Sequence, residues 1–286
     1  MAVALLSRLF RRFVRSKVAL ALPVTFLILL VSTLGIITVT YYFAVENINT
    51  QSEALKVSTA RQDFVSLDNV ILSTLGQPGS SSTIDLSDSG GSTNIQPTSN
   101  ILTINVTDNA SIDETIFNSS VGQITYELPT SGSIDIGLYL EGDSQTITNR
   151  SGASPSQLYI TNGAQGPEIQ LQYRPTVTYA TAGLQNGQAV TDIRIYIVNL
   201  DSSASIKPLG GELPLQISCT STQLTTEIIS YEAGNISYQP ENLAITSQLN
   251  GVNGSVSIPI SPSGPDGSII YIETVISNVS IERWIQ

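Results

Sequence analysis

The chain has 286 residues, a net charge of −11 at neutral pH, no histidine and a single cysteine. The lack of histidine excludes the Ser-His-Asp arrangement and histidine metal ligands, and a single cysteine excludes thiolate zinc sites and an internal disulfide. No glycine-rich phosphate-binding motif is present either. The sequence therefore predicts no enzyme activity, no catalytic residue, no cofactor and no metal.

The N-terminus combines a basic segment with a long apolar run. The run covers residues 18–45 without one charged side chain, and about 20 apolar residues are enough to span a membrane. Because short cationic flanks stay on the cytoplasmic side, we predict a cytoplasmic leader at residues 1–17 and an extracytoplasmic remainder. The cations of the leader are Arg8, Arg11, Arg12, Arg15 and Lys17.

A cleaved signal peptide is the competing interpretation of this run. Signal peptides have apolar regions of about 7–15 residues, followed by a small-residue cleavage site. Here the run is longer and ends in Tyr41, Tyr42 and Phe43, which resemble the aromatic belt at a membrane interface. We therefore predict a retained, single-pass transmembrane helix in the cell membrane, with lipid as its partner.

An amphipathic continuation of the helix is predicted for residues 46–75. Its apolar residues recur at three- and four-residue steps, which places them on one helical stripe, and Gly76 followed by Pro78 is a stop signal. We expect Phe64, Leu67 and Ile71 to be buried against a folded domain. The whole stripe is Ile48, Leu55, Ala60, Phe64, Leu67, Ile71 and Leu75.

Residues 76–286 show period-two alternation separated by turn signals, which indicates an antiparallel β-sandwich. The fold class is thus α+β by segregation, one long N-terminal helix followed by an all-β ectodomain. The ectodomain forms one sandwich, or two that divide near residues 144–166. The predicted strands are Thr83–Leu86, Ile101–Thr107, Gln123–Glu127, Ser133–Leu140, Glu168–Tyr173, Val190–Leu200, Leu213–Thr222 and Ile269–Ile281. The predicted turns are Asn186-Gly187, Asn250-Gly251, Asn253-Gly254 and Pro265–Gly267.

Charge and short motifs add three expectations for this β region. After the leader, 7 cations stand against 23 acids, a net charge of −16, which disfavours nucleic acid as a partner. Cys219 falls in an alternating run and is expected to be a buried strand thiol. Seven N-x-[ST] sequons, where chance alone gives about four, are candidate N-glycosylation sites of a glycoprotein. They are Asn105, Asn109, Asn118, Asn149, Asn235, Asn253 and Asn278.

The N-terminal layout resembles that of archaeal type IV pilins and archaellin-like proteins. The resemblance rests on the basic leader that ends in Arg15-Ser16-Lys17, the following Val18–Pro23 segment and the long apolar helix. It covers about the first 104 residues. It implies cleavage of the leader, here between Lys17 and Val18, and packing of the helix with other pilin-like subunits. This leader departs from the family pattern, because it is longer and no acidic residue follows early in the helix.

Two functional interpretations remain open at this point. The favoured one is a non-enzymatic pilin-like or pilin-associated cell-surface subunit, part of a filament or of its assembly machinery. The alternative is a monomeric, signal-anchored β-sandwich ectodomain that binds a ligand or supports the cell envelope. Small residues at Ser32, Thr33 and Gly35 would allow close helix–helix approach, but they are also ordinary in membrane helices.

Overall fold

The structure is a computed structural model that describes residues 17–108, 110–128, 134–149, 152–201, 206–209, 213–231, 241–260 and 264–284. One helix, α1, covers Lys17–Thr74. At 1.5 Å per residue its 58 residues extend for about 87 Å. Pro23 lies inside it and removes one backbone donor. The leader, residues 1–16, lies outside the described residues.

Among the described residues, thirteen strands follow the helix and form two sheets, so the predicted fold class is confirmed. Sheet A has the order β1-β10-β13-β8-β7, and sheet B has the order β12-β11-β2-β3-β6-β5-β4, with β9 beside β2. The strands are β1 (Ser81–Leu86), β2 (Thr93–Thr107), β3 (Asp113–Glu127), β4 (Tyr139–Glu141), β5 (Ser156–Asn162), β6 (Pro167–Tyr173), β7 (Thr176–Gln185), β8 (Gln188–Leu200), β9 (Ile206–Leu209), β10 (Leu213–Tyr231), β11 (Asn242–Leu249), β12 (Val252–Pro259) and β13 (Ser268–Arg283).

One strand pair departs from the predicted antiparallel pattern. β8 and β13 run parallel, with Ile193 opposite Ile272 and Ile195 opposite Thr274. A parallel pair needs a long crossover connection, and β11 and β12 of sheet B lie within the chain between these two strands. Every other ladder between the described strands is antiparallel.

Two local predictions are wrong. The first is the predicted strand Ser133–Leu140: Ser133 lies outside the described residues, and residues 134–138 form no strand. The reason is a turn, in which Gly137 has φ +86° and the N–H of Leu138 donates to the carbonyl oxygen of Asp135. The predicted Asn253-Gly254 turn lies inside β12. A Cβ on Gly254 would collide with Oγ1 of Thr146, so this glycine permits close approach of a neighbouring segment.

The β region, with the helix from Leu55 onward, forms one compact unit with two apolar cores. The helix core contains buried residues of α1 and of both sheets, and the strand core contains residues of the sheets and of the 146–148 segment. The helix core includes Phe64, Leu67, Ile71, Ile124, Leu158, Ile169, Leu171, Leu215, Ile217, Val279 and Ile281. The strand core includes Leu102, Ile104, Val106, Ile147, Ile193, Ile195, Ile197, Leu243, Ile245, Ile270 and Ile272.

The amphipathic half of α1 is buried where the stripe predicts, with one difference. Phe64, Leu67 and Ile71 are at most 1% exposed, which confirms the expectation for these three residues. Ile48 and Leu55 remain exposed instead. Burial in the compact unit therefore begins near Val57, and the helix before it presents its side chains outward.

Long strands contribute opposite faces to the two cores. In β8, Ile195 and Ile197 enter the strand core, whereas Val198 and Leu200 enter the helix core. In β13, Ile272 belongs to one core and Val279 to the other. Because successive side chains alternate between the faces of a sheet, the strand core covers one face of sheet A at one end of these strands. The helix core covers the opposite face at their other end.

Five glutamines on four strands of sheet B form a chain of amide hydrogen bonds. Each alternates along its strand with residues that enter the helix core, so the chain lies on the opposite face. Donor–acceptor distances are between 2.7 and 3.2 Å. These bonds satisfy side chains that are otherwise costly to bury. In order across the sheet they are Gln96, Gln123, Gln170, Gln172 and Gln157.

Candidate functional site

The apolar half of α1 is the most distinctive surface of the chain. From Pro23 onward it is long and apolar enough to cross a membrane, with a mean hydropathy of 2.2, although signal sequences share these properties. None of its most apolar 18-residue window is buried inside the protein. Large side chains are exposed all around the helix, among them Phe26, Leu27, Ile28, Leu29, Leu34, Ile36 and Ile37.

Two threonine side chains within this half form hydrogen bonds to the backbone of their own helix. The hydroxyl of Thr38 donates to the carbonyl oxygen of Leu34 at 2.8 Å, and that of Thr33 donates to the carbonyl oxygen of Leu29. A hydroxyl bonded to its own helix needs no water, which suits an apolar environment. A Cβ on Gly35 would meet no atom within 4 Å, so the helix surface there is open to a close neighbour.

Of the predicted processing residues, Lys17 and Val18 are the first residues of α1. At the other end of the apolar run, Tyr41, Tyr42 and Phe43 are all exposed. The rings of Tyr42 and Phe43 meet edge to face, with centroids 6.2 Å apart. Amphipathic aromatic rings such as tyrosine sit well at a membrane interface.

A buried carboxyl group ties the docked half of α1 to sheet B. Asp68 is 1% exposed, and one of its oxygens, Oδ1, accepts hydrogen bonds from the hydroxyls of Ser156 and Tyr173, each at 2.7 Å. Burial raises the pKa of Asp68, the two hydroxyl donors lower it, and the charge of Glu141 raises it further, with a net upward shift. Sequence reasoning missed this residue because it interrupts the apolar stripe.

Replacing Asp68 with asparagine is expected to change how stability depends on pH. Because the folded-state pKa is raised, Asp68 contributes stability below its ordinary value of 3.8 and loses it as pH rises through the raised value. Asp68→Asn keeps an acceptor but cannot ionise. The melting temperature of this variant minus that of the wild type should therefore increase as pH rises from 4 to 8.

Thermal melting of the full chain in detergent across that pH range measures the effect. Asp68→Ala is the control: it removes the acceptor and leaves two buried hydroxyls unpaired, at a cost of about 1–3 kcal/mol each. A melting-temperature difference between wild type and Asp68→Asn that does not vary with pH would contradict the assignment.

The structure separates the candidate glycosylation sites. Asn118, Asn149 and Asn253 are exposed, and Asn105 and Asn278 are half-buried. The side chain of Asn278 is fully engaged, since its amide donates to Oγ of Ser221 at 2.9 Å and its oxygen accepts from Asn199 at 2.9 Å. The remaining two sites, Asn109 and Asn235, lie outside the described residues.

In a host that glycosylates exported proteins, we expect higher occupancy at Asn118 and Asn253 than at Asn278. A glycan replaces one amide hydrogen of the asparagine, so at Asn278 it would disturb the hydrogen bond to Ser221. Glycopeptide mass spectrometry measures the occupancy of each site. Equal occupancy at Asn278 would show that its engagement in the sheet is no barrier.

A shallow, uncharged groove of about 500 Å³ crosses the outer side of β2, β11 and β12. It is lined by hydroxyl and amide side chains, without an aromatic ring or a titratable group. Such a surface can form hydrogen bonds but offers no acid–base group. Its lining includes Thr103, Asn105, Thr246, Gln248, Asn253 and Ser255.

Two carboxyl groups that are distant in sequence meet between β3 and β10. Burial raises the pKa of Glu227, and the charge of Glu114 and its hydrogen bond raise it further. Sequence reasoning could not pair them, because 112 positions separate them. Within the part of the chain that the structure describes, no three acidic or sulfur ligands converge on one point as a metal site would require.

Cys219 is fully buried in β10, as the alternating run predicts. Its sulfur lies 3.9 Å from the carbonyl oxygen of Ser221 and 3.9 Å from Oγ1 of Thr222, and its burial is typical of a structural cysteine. The most distinctive features of the described residues thus lie in α1 and in the hydroxyl and amide side chains of sheet B.

Comparison with protein-family models, with curated protein sequences and with solved structures found no match for this chain.

Proposed function

We propose that the chain is a non-enzymatic, pilin-like or pilin-associated subunit of the cell surface, in a filament or in its assembly machinery. One observation carries the proposal. A single helix has an apolar half exposed on every side and a second half with one face buried in a β-rich unit. This arrangement lets the apolar half reside in lipid or among other such helices while the compact unit from Leu55 onward, called the β unit below, stays in water.

The proposed mechanism of assembly is transfer of the apolar half of α1 from lipid into a bundle of such helices. In lipid there is no hydrophobic force between helices, so close packing and hydrogen bonds drive association. The open surface at Gly35 and the internally bonded Thr33 and Thr38 are compatible with such packing. The proposed partners are membrane lipid and other pilin-like subunits, with the leader cytoplasmic and the β unit outside.

The mature N-terminus and the composition of surface filaments test this proposal. Mass spectrometry should find the chain in purified filaments, or filament number should fall when its gene is deleted, and the leader should be cut between Lys17 and Val18. Protease added to intact cells should digest the β unit. An uncut leader, with the chain absent from filaments whose number does not change, would favour the monomeric signal-anchored ectodomain.

A further inference from the structure

The outer face of β12, β11, β2 and β3 consists of uncharged polar side chains in cross-strand register. The opposite face of these strands belongs to the strand core, through residues such as Leu102, Ile104 and Ile245, which holds the backbone beneath the polar face. Neighbouring strands lie about 4.8 Å apart, so a row across four of them is about 14 Å long. Two adjacent rows are Asn253–Gln248–Thr103–Asn118 and Ser255–Thr246–Asn105–Thr115.

Hydrogen bonds within these rows orient two of the amide groups. The hydroxyl of Thr115 donates to Oδ1 of Asn105 at 2.8 Å, and the hydroxyl of Thr103 donates to Oδ1 of Asn118 at 3.3 Å. Each amide oxygen therefore has a partner in the sheet. The N–H groups of the two asparagines remain as donors for a ligand.

Gln248 and Asn253 contribute further donors and acceptors. They lie opposite each other on β11 and β12, and both are exposed. Their side chains form no hydrogen bond with another described residue. Each amide group has two donors and one acceptor oxygen, and both groups line the groove of about 500 Å³ that crosses β2, β11 and β12.

The lining restricts the chemistry of a ligand. It consists of threonine, serine, asparagine and glutamine side chains with one glycine. Without a cation it cannot offset the acidic field of the chain for an anion, and without an apolar wall it cannot bury a lipid chain. The outer face of sheet A differs, because it carries the Arg194–Glu273 ion pair and the exposed Leu224 and Ile228.

We propose that this groove binds neutral carbohydrate, through hydrogen bonds between sugar hydroxyls and the amide and hydroxyl groups of β2, β11 and β12. A hydroxyl both donates and accepts, which matches the mixture of donors and acceptors in the lining. Two sources can supply the sugar: a saccharide of another molecule, or a glycan on Asn105 or Asn253, whose sequons lie in the lining. This inference stands whether or not the chain enters a filament.

An array of neutral and anionic oligosaccharides tests the groove with the full chain, purified in detergent from a host that attaches no N-glycans. The wild type should bind at least one neutral oligosaccharide more strongly than any anionic one. The double variant Thr246→Val, Gln248→Met removes polar groups at similar side-chain size and should lower that signal at least tenfold.

The control is Thr178→Val, Thr226→Val, at two exposed positions in one cross-strand row of sheet A. It should bind as the wild type does, and equal melting temperatures of the two double variants confirm that both fold. The proposal is overturned if no neutral oligosaccharide binds, if anionic ones bind as strongly, or if the groove variant binds as well as the control.

Expression in a host that attaches N-glycans separates the two sources. If the glycan of the chain itself fills the groove, wild type with an occupied Asn253 should lose the array signal. Asn253→Gln, which keeps an amide group but cannot be glycosylated, should then recover it. Equal binding by the two, with occupancy measured by glycopeptide mass spectrometry, assigns the groove to a saccharide of another molecule.

Discussion

Replacing Phe64 with alanine should lower the free energy of unfolding by about 3–5 kcal/mol, the usual cost of deleting a buried phenylalanine. The ring is 1% exposed, and its centroid lies 5.5 Å from that of Tyr126. It packs in the helix core with residues of both sheets. The substitution therefore removes apolar contacts and leaves a cavity where α1 meets the β strands.

Leu55→Ala is the matched control on the same helix. Leu55 is 68% exposed, and substitutions at such positions usually change stability by less than about 0.5 kcal/mol. Thermal melting of the full chain in detergent, followed by the β signal in circular dichroism, compares the two variants. Equal shifts in melting temperature would mean that burial of Phe64 does not stabilise the β unit.

Replacing Leu30 with aspartate should impair membrane insertion strongly. A charged residue at the centre of a membrane helix costs about 2.5–3.5 kcal/mol on insertion scales. That cost corresponds to roughly 70- to 400-fold in the insertion equilibrium. Leu30 lies within the uncharged run and is exposed, so the charge would face lipid or a neighbouring helix.

Gln51→Asp provides the control, because Gln51 is exposed on α1 after the apolar run ends. Insertion into isolated membranes, measured by resistance to alkaline extraction, should fall for Leu30→Asp and stay at the wild-type level for Gln51→Asp. If both variants remain in the membrane fraction, residues 18–45 are not the membrane anchor.

Features governed by local sequence were predictable. Period-two alternation located most strands, and the helical stripe identified Phe64, Leu67 and Ile71 as buried. The turn at Asn186-Gly187 follows from its need for positive φ at two successive positions. Such signals are carried by a few neighbouring residues, so they can be read without knowing the rest of the fold.

Features that depend on distant residues were not predictable. Arg174 is buried and donates to the carbonyl oxygens of Ser154 and Gln145, and it pairs with Asp143. Nothing near Arg174 in sequence indicates these partners, which lie 20 to 31 positions before it in the chain. The acidic pair Glu114 and Glu227 is hidden for the same reason.

The strands that contribute one face to each core make the two halves of the β unit interdependent. β8, β10 and β13 cannot leave one core without withdrawing side chains from the other. The part of the β unit around the helix core and the part around the strand core are therefore not separate foldons, because a foldon opens as a contiguous unit with its own free energy. Amide hydrogens at Ile195, in the strand core, and at Leu200, in the helix core, should exchange through the same global opening and show equal protection.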